Sequence, residues 1–241
     1  MKEARSHLIV ALDVPDRATA LAVVDRLSGH VGYFKLGLEI FVSEGPAFVK
    51  EIVERGNRVF LDLKLHDIPN TVAAAVRSAC RLGVQMLTLH AVGGKKMLEA
   101  AREAAQSSSE PPLLLAVTAL TSLAPEDARS IGIHEALPTW VERLADLAAQ
   151  AGIPGLVASP LELPILRRRF GGTIKLVIPG IRPGGAQSQD QARTATPADA
   201  IRAGADYLVV GRPILQAPDP AQAADRIAEE IFRALPASEK P

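Results

Sequence analysis

Short apolar runs rich in β-branched residues alternate along this chain with longer segments that carry apolar residues at helical spacing. The short runs predict eight strands, at 7–13, 33–38, 58–64, 86–91, 113–119, 155–159, 175–180 and 207–211. The longer segments predict helices at 16–28, 43–55, 70–82, 94–105, 138–151, 161–169, 197–203 and 219–234. Alternation of this kind is typical of βα units built around a parallel sheet.

Eight βα repeats predict a closed (β/α)8 barrel, with residues 1–241 forming a single domain. An open, doubly wound sheet has the same alternation, and periodicity alone does not distinguish the two. The length of 241 residues and the hydrophobic fraction of 48% are sufficient for a sizeable core and match the usual size of one α/β barrel.

Charge and composition exclude several classes of partner. Lys and Arg together number 27, as do Asp and Glu, so the net charge is zero and no block of like charge indicates a nucleic-acid arm or a membrane patch. The single cysteine, Cys80, cannot form an internal disulfide. No apolar run is long enough for a secretory signal or a membrane span, so we expect a cytoplasmic protein with a small-molecule ligand.

A run of charged residues lies at the end of the third predicted strand, in the segment DLKLHDIPNT at 62–71. Asp62 and Lys64 are two positions apart and therefore point to the same face, and Asp67 follows just beyond. Lys35 occupies the corresponding place one strand earlier. We expect these alternating charges to converge on one small volume, with a formal sum of zero.

The active sites of such barrels lie at the carboxyl ends of the strands. The polar residues expected at or near those ends are Asp13, Lys35, Asp62, Lys64, His90, Thr121, Arg182 and Arg212. A structural ion-pair network that plugs the barrel is the alternative for one Asp and Lys pair, but four alternating charges at neighbouring strand ends favour a functional site. For His90, packing and hydrogen bonding are favoured over catalysis.

The charges themselves indicate a type of chemistry. Unlike charges about 4 Å apart attract by about 4 kcal/mol at an effective dielectric of 20, so a lysine between two carboxylates keeps its proton. Protonated Lys64 can stabilise a developing carbanion and then protonate it, while a neighbouring carboxylate repels an anionic group on the substrate. This combination suits the loss of carbon dioxide.

Glycine and arginine follow the seventh and eighth predicted strands, in GIRPGGAQSQDQ at 180–191 and GRPI at 211–214. Barrels commonly hold a phosphate here, because glycine admits backbone N–H groups and arginine donates two hydrogen bonds. By itself a Gly-Arg-Pro sequence is more often a turn. The Gly- and Ser-rich stretch before Gln191 is also typical of a mobile lid.

The segment VFLDLKLHDIPNTV resembles the orotidine 5'-phosphate decarboxylase family, whose motif is D-x-K-x-x-D-I-P-N-T. The similarity continues in the family's order through HLIVALDV, FKLG, LTLHAVGG, VTALTS, IPGIRP, DQ and VVGRPI, and covers nearly the whole chain. The resemblance implies the decarboxylation of orotidine 5'-monophosphate at C6 to give UMP in de novo pyrimidine biosynthesis. It also implies a homodimer with shared active sites, and no metal or organic cofactor.

The resemblance further implies a role for each matching residue. Lys64 is the proton donor, Asp62 lies against the departing carboxylate, and Lys35 pairs with the ribose and the carboxylates. Asp13 binds the ribose hydroxyls and Thr121 the pyrimidine edge in this assignment. The phosphate is bound by Arg182, Gln191, Gly211 and Arg212. The resemblance implies that Asp67 and Thr71 contact the ribose across the dimer interface, and helix capping is the alternative role for Thr71. The rest of the substrate-binding segment is Leu63, Leu65, His66, Ile68, Pro69 and Asn70, of which His66 is given no chemistry.

Two other functions remain open at this point. The 3-keto-L-gulonate 6-phosphate decarboxylases share D-x-K-x-x-D but use Mg²⁺ and an enediolate, whereas the IPNT continuation, the TALTS segment and the DQ before GRP favour the nucleotide enzyme. A catalytically silent nucleotide-binding barrel is the second alternative. We expect such a protein to lack one of the four charges, and this chain has all four.

Overall fold

Eight parallel strands close into a barrel in chain order, with β1 paired to β8, in a computed structural model that describes residues 1–183 and 194–237. The strands are β1 Leu8–Ala11, β2 Tyr33–Leu36, β3 Val59–Leu65, β4 Met86–His90, β5 Leu113–Val117, β6 Gly155–Val157, β7 Lys175–Ile178 and β8 Tyr207–Val210. The predicted barrel is confirmed, and the open doubly wound sheet is wrong for this chain.

Helices follow the strands and form the outer layer. They are α1 Lys2–Ser6, α2 Arg17–Leu27, α3 Leu38–Glu54, α4 Pro69–Arg81, α5 Lys95–Gln106, α6 Pro125–Ser130, α7 Leu137–Gln150, α8 Leu163–Phe170, α9 Pro197–Arg202, α10 Arg212–Leu215 and α11 Pro220–Ala234, with a short 3₁₀ turn at Ala91–Gly93. None of the helices among residues 1–183 and 194–237 is long and apolar enough to cross a membrane.

Alternation along the strands divides the core into two parts. Residues such as Leu8 and Val10 of β1 pack outward against the helices, whereas Ile9 and Ala11 point into the barrel. The inner cluster consists of Ile9, Ala11, Tyr33, Phe60, Met86, Leu115, Val177 and Val209. Because these residues fill the barrel, the interior is a packed core and the space for a ligand lies above it.

The same alternation brings charged side chains to the carboxyl end of the barrel. Phe60 of β3 belongs to the inner cluster, so Asp62 and Lys64, two and four positions later, continue its inward face. On β2, Tyr33 is followed by Lys35 in the same way. The sequence therefore places an apolar layer below and a charged layer above.

Helix α3 begins five residues before its predicted start and is interrupted at Gly45, which has a φ of 71°. Pro46 follows and has no N–H to donate, so the helical hydrogen bonding is broken there. The pattern after Gly45 is strongly helical, which explains why only the second part was predicted. The first part places Leu38 and Val42 on the surface beside the end of β2.

Candidate active site

A cavity of about 260 Å³ opens at the carboxyl ends of the strands, where the sequence predicts the active site. Its polar lining comes from strands or loops on both sides of the barrel and consists of Asp13, Lys35, Asp62, Lys64, Thr121, Arg182 and Arg212. Its apolar lining includes Phe60, Val117, Ala119, Leu120, Val157, Ile181, Val209 and Pro213. A concave pocket in which polar groups converge beside an apolar wall is typical of small-ligand sites.

Four of the polar residues form a continuous row of alternating charges. Lys35 Nζ lies 3.2 Å from Asp13 Oδ1 and 3.5 Å from Asp62 Oδ2. Lys64 Nζ lies 2.9 Å from the other oxygen of Asp62. The central pair is buried, since the side chains of Lys35 and Asp62 are each 12% exposed, whereas that of Asp13 is 59% exposed. The predicted convergence of Lys35, Asp62 and Lys64 is confirmed, and the fourth member of the row is Asp13 in place of the expected Asp67.

The carboxylate of Asp62 is held in its ionised form. Burial alone would raise its pKa, but the charges of Lys35 and Lys64 and hydrogen bonds from Lys64 and Thr88 outweigh burial and lower the pKa below its ordinary value. The site therefore contains a buried, charged carboxylate directly beside the Lys64 ammonium. Any anionic group brought into the cavity meets this fixed negative charge.

The backbone at Lys64 is unusual. Lys64 has a φ of 50°, and the pairing of β3 with β4 shifts register between Leu61 and Leu65. The Lys64 N–H donates to Thr88 Oγ1 on β4 at 2.9 Å, and that hydroxyl donates to Asp62 Oδ1 at 2.9 Å. A bulge of this type redirects a side chain next to a site.

The expectation that Asp67 joins this volume is wrong within one chain. Asp67 is exposed, does not line the cavity, and accepts a 2.6 Å hydrogen bond from the N–H of Ile68. The strand ends at Leu65, so the alternation that aims Asp62 and Lys64 no longer applies two residues later. Among residues 1–183 and 194–237, Asp62 is the one carboxylate that pairs with Lys64, while Lys35 and Asp62 each lie between two opposite charges.

The rest of the expected binding segment does not line this cavity either. Leu63 and Leu65 have the opposite parity from Asp62 and pack against the outer core. His66, Ile68, Pro69, Asn70 and Thr71 lie on the surface around the start of α4. The alternative that Thr71 caps this helix is wrong, because α4 begins at Pro69 and its N-cap residue, Ile68, makes no side-chain cap hydrogen bond.

Arginine and glycine line the opposite wall, after β7 and β8. Arg182, Gly211 and Arg212 border the cavity, and Arg212 begins the short helix α10 with Gly211 as its N-cap. The Nε atom of Arg182 is buried and has no hydrogen-bond partner among residues 1–183 and 194–237. Gln191 and the expected lid at 184–190 lie outside the described residues.

The two histidines near the site contact each other. The rings of His66 and His90 are 5.7 Å apart, and burial, followed by the nearby His66 and Lys64, lowers the pKa of His90. His90 ends β4 but does not line the cavity. A neutral imidazole packed beside the site agrees with the interpretation that favoured packing for His90 over catalysis.

Comparison with known proteins assigns this arrangement to a family. The model of the "Orotidine 5'-phosphate decarboxylase / HUMPS family" matches residues 6–227. Orotidine 5'-phosphate decarboxylase of Moorella thermoacetica is 53% identical over 234 residues, which cover 95% of this chain and 93% of the relative. The chain belongs to the orotidine 5'-phosphate decarboxylase / HUMPS family.

Other members of this family agree in sequence and in structure. Orotidine 5'-phosphate decarboxylase of Syntrophotalea carbinolica is 50% identical over 238 residues, covering 97% of this chain and 98% of the relative. The crystal structure of the enzyme from Lactobacillus acidophilus matches with a TM-score of 0.84 at 35% identity, over 93% of this chain and 98% of that chain. The structure from Pyrococcus horikoshii OT3 has a TM-score of 0.75 at 27% identity, over 93% of this chain and 98% of that chain.

Within this family fold, several residues of the site were missed at the level of sequence. The strand pattern assigns Thr88 no role in the site, although this residue shares the inward face of β4 with Met86. Val117, Val157 and Val209 form part of the apolar wall, and their strand parity marks them as inward-facing. The two-residue alternation that selects Asp62 and Lys64 also selects these valines when it is applied to the apolar ends of β5, β6 and β8.

Among residues 1–183 and 194–237, no group of three or more His, Cys, Asp or Glu side chains is arranged to hold a metal ion. The carboxylates of the site, Asp13 and Asp62, instead have lysine Nζ atoms as their neighbours.

Proposed function

We propose that this protein decarboxylates orotidine 5'-monophosphate to UMP in de novo pyrimidine biosynthesis, with Lys64 as the acid. The observation that carries the proposal is the Lys64–Asp62 pair, 2.9 Å apart, at the mouth of a barrel of this family. The names of the relatives at 48% to 53% identity support the same reaction.

The proposed chemistry uses the two ends of that ion pair differently. The bond from C6 to the carboxylate breaks, carbon dioxide leaves, and the electron pair remains on C6. The Lys64 ammonium stabilises this developing charge and then donates a proton to C6, and the lysine regains its proton from solvent. The fixed charge of Asp62 disfavours the substrate carboxylate in the bound ground state, but we assign more of the rate to Lys64.

The remaining lining residues are proposed to bind the substrate. Arg182, Gly211 and Arg212 lie after β7 and β8, where phosphate commonly binds in barrels, and the buried Nε of Arg182, which has no partner within residues 1–183 and 194–237, supports this role. Asp13, which is largely exposed at the rim, is assigned to the ribose hydroxyls, and Thr121 to the pyrimidine edge. For Gln191, which lies outside the described residues, a contact to the phosphate stays a prediction.

A homodimer with shared sites is the second part of the proposal. Asp67 and Thr71 are exposed and outside the cavity of their own chain, so a contact to substrate requires a second copy. Large apolar side chains are exposed around the ends of β2, β3 and β4, namely Leu38, Val42, Ile68 and Val92. Exposed apolar patches of this kind mark protein interfaces, and a second copy would bring Asp67 of the partner subunit to Lys64.

The proposal is tested by following the absorbance of orotidine 5'-monophosphate with purified protein, with and without EDTA. Turnover that is unchanged by the chelator supports the nucleotide enzyme. Turnover that is abolished by EDTA and restored by Mg²⁺ would favour the metal-dependent sugar-phosphate decarboxylases. Tight UMP binding without turnover would favour a silent nucleotide-binding barrel.

Two further expectations remain proposals. A cytoplasmic location is supported by the role in nucleotide biosynthesis, and cell fractionation tests it. The assignment of residues 1–241 to a single domain is supported by the closed barrel of the described residues. Limited proteolysis that yields two stable fragments would contradict it.

A further inference from the structure

Lys64 has a backbone conformation that its residue type disfavours. Among residues 1–183 and 194–237 it is the one non-glycine residue with a positive φ, at 50°. It lies inside β3, where the register with β4 shifts between Leu61 and Leu65. A long side chain with positive φ is strained, and it persists only where the surroundings hold it in place.

A single side chain of the neighbouring strand makes the contacts that hold it. Thr88 of β4 is fully buried, and its Oγ1 accepts a 2.9 Å hydrogen bond from the N–H of Lys64. The same hydroxyl lies 2.9 Å from Asp62 Oδ1. A hydroxyl has one proton, and because Asp62 is ionised and accepts only, the Thr88 proton is directed at Asp62 while a lone pair faces Lys64.

The direction of these bonds gives Thr88 a specific task. Its hydroxyl contacts two groups, the backbone N–H of Lys64 and the carboxylate of Asp62. That carboxylate in turn accepts a 2.9 Å hydrogen bond from Lys64 Nζ. The β-branched side chain has a restricted χ1, so the hydroxyl is held in one place. Thr88 does not line the cavity, and it therefore acts through Asp62 and Lys64.

We infer that Thr88 is a positioning residue that orients the Lys64 ammonium and the Asp62 carboxylate for proton transfer to the substrate. The inference rests on the proposed role of Lys64. We infer in addition that Thr88 of β4 fixes the orientation of the Lys64 side chain. Its one hydroxyl forms hydrogen bonds both to the backbone N–H of Lys64, whose φ is positive, and to a buried oxygen of Asp62.

The test is Thr88→Val, which keeps the shape of the side chain and removes the hydroxyl. A small misplacement of a reacting group costs up to about 100-fold in rate, so kcat should fall by about 10- to 100-fold. KM should change by less than about threefold, because the groups proposed to bind phosphate and ribose are untouched. Thr88→Ser retains the hydroxyl and should recover most of the lost kcat.

Thr118→Val is the matched control. Thr118 is also buried, and its Oγ1 donates to the carbonyl of Val157 at 3.3 Å without contacting the charged row. If loss of any buried hydroxyl lowers activity through stability alone, both valine variants will behave alike. A kcat for Thr88→Val equal to that of Thr118→Val, or of wild type, would overturn the inference.

A second substitution tests the role of Thr88 if the valine variant does not fold. If Thr88→Val does not give folded protein, Thr88→Ala replaces it, and kcat should again be well below that of Thr88→Ser; equal values overturn the inference. Wild type and Lys64→Ala are assayed in parallel. An active Lys64→Ala variant would refute the proposed function itself, whereas inactive Lys64→Ala beside fully active Thr88→Val would refute the role of Thr88 alone.

Discussion

Replacing Asp62 by Asn tests the charged row, because the change preserves shape and removes the negative charge between two lysines. Asp62 lies 3.5 Å from Lys35 Nζ and 2.9 Å from Lys64 Nζ. At an effective dielectric of 20, each such attraction is worth about 5 kcal/mol before desolvation is subtracted. Without the carboxylate the two ammonium groups face each other across the amide.

The net effect on folding is smaller than these attractions. Removing one partner of a buried ion pair costs about 3–5 kcal/mol, since it leaves an uncompensated charge. Lys35 retains Asp13 at 3.2 Å, and the side chain of Lys64 is 29% exposed, so water screens part of the loss. We therefore expect Asp62→Asn to lower the free energy of unfolding by about 3 kcal/mol, the low end of that range.

The assay is equilibrium unfolding in urea at pH 7, with the free energy of unfolding extrapolated to water. The control is Asp25→Asn, since Asp25 pairs with Arg55 at 3.2 Å on the surface, and an exposed pair is worth less than about 1 kcal/mol. A loss for Asp62→Asn no larger than that of the control would refute the argument that Asp62 is held by buried charge.

The same comparison at lower pH checks the sign of the effect. The folded pKa of Asp62 is below its ordinary value of 3.8, so the unfolded chain takes up its proton first as the pH falls. The stabilisation from Asp62 is therefore complete at neutral pH and is lost as the pH falls through the ordinary value and then the folded pKa. The difference between wild type and Asp62→Asn should narrow over that range, and a constant difference would contradict the assignment.

Three further predictions concern the substrate and the dimer. Arg212→Ala should raise KM for the nucleotide about 10- to 100-fold through loss of a charged hydrogen bond, with little change for the phosphate-free nucleoside; equal losses would count against a phosphate contact. We expect about a quarter of wild-type activity when Lys64→Ala and Asp67→Ala subunits, each inactive alone, are mixed equally and allowed to exchange. Half of the dimers are then hybrids, and each hybrid has one native site of two. No recovery despite exchange would exclude shared sites. Ile68→Asp should raise the dimer dissociation constant measured by sedimentation equilibrium, whereas Leu161→Asp, a control at the same 67% exposure, should not. Equal effects of the two substitutions would show that Ile68 is not part of the dimer interface.

Much of the fold follows from the sequence because the signals are local. Strands such as Met86–His90 are short apolar runs between helices, and parity within them decides which side chains enter the barrel. Parity correctly joined Asp62 and Lys64, since both lie within strand β3, although the pairing of β3 with β4 shifts register between Leu61 and Leu65. The expectation for Asp67 rested only on its nearness along the chain, and strand parity cannot place it because β3 ends at Leu65.

The elements that were missed are those in which local pattern is weak. Helices α1, α6 and α10 have four to six residues, too few to display a hydrophobic period, and tertiary contacts stabilise them. The positive φ of Lys64 and its bond to Thr88 depend on a register shift between β3 and β4. Strand pairing determines that shift, and no pattern within either strand reports it.

Turnover of orotidine 5'-monophosphate by Lys64→Ala, with UMP binding and circular dichroism recorded on the same sample, decides whether Lys64 is the acid. Lys50→Ala, which removes an exposed lysine paired with Glu54, is the control and should behave as wild type. We expect Lys64→Ala to remain folded, to bind UMP and to lose turnover by at least about 100-fold. Turnover close to that of Lys50→Ala would show that Lys64 is not the acid.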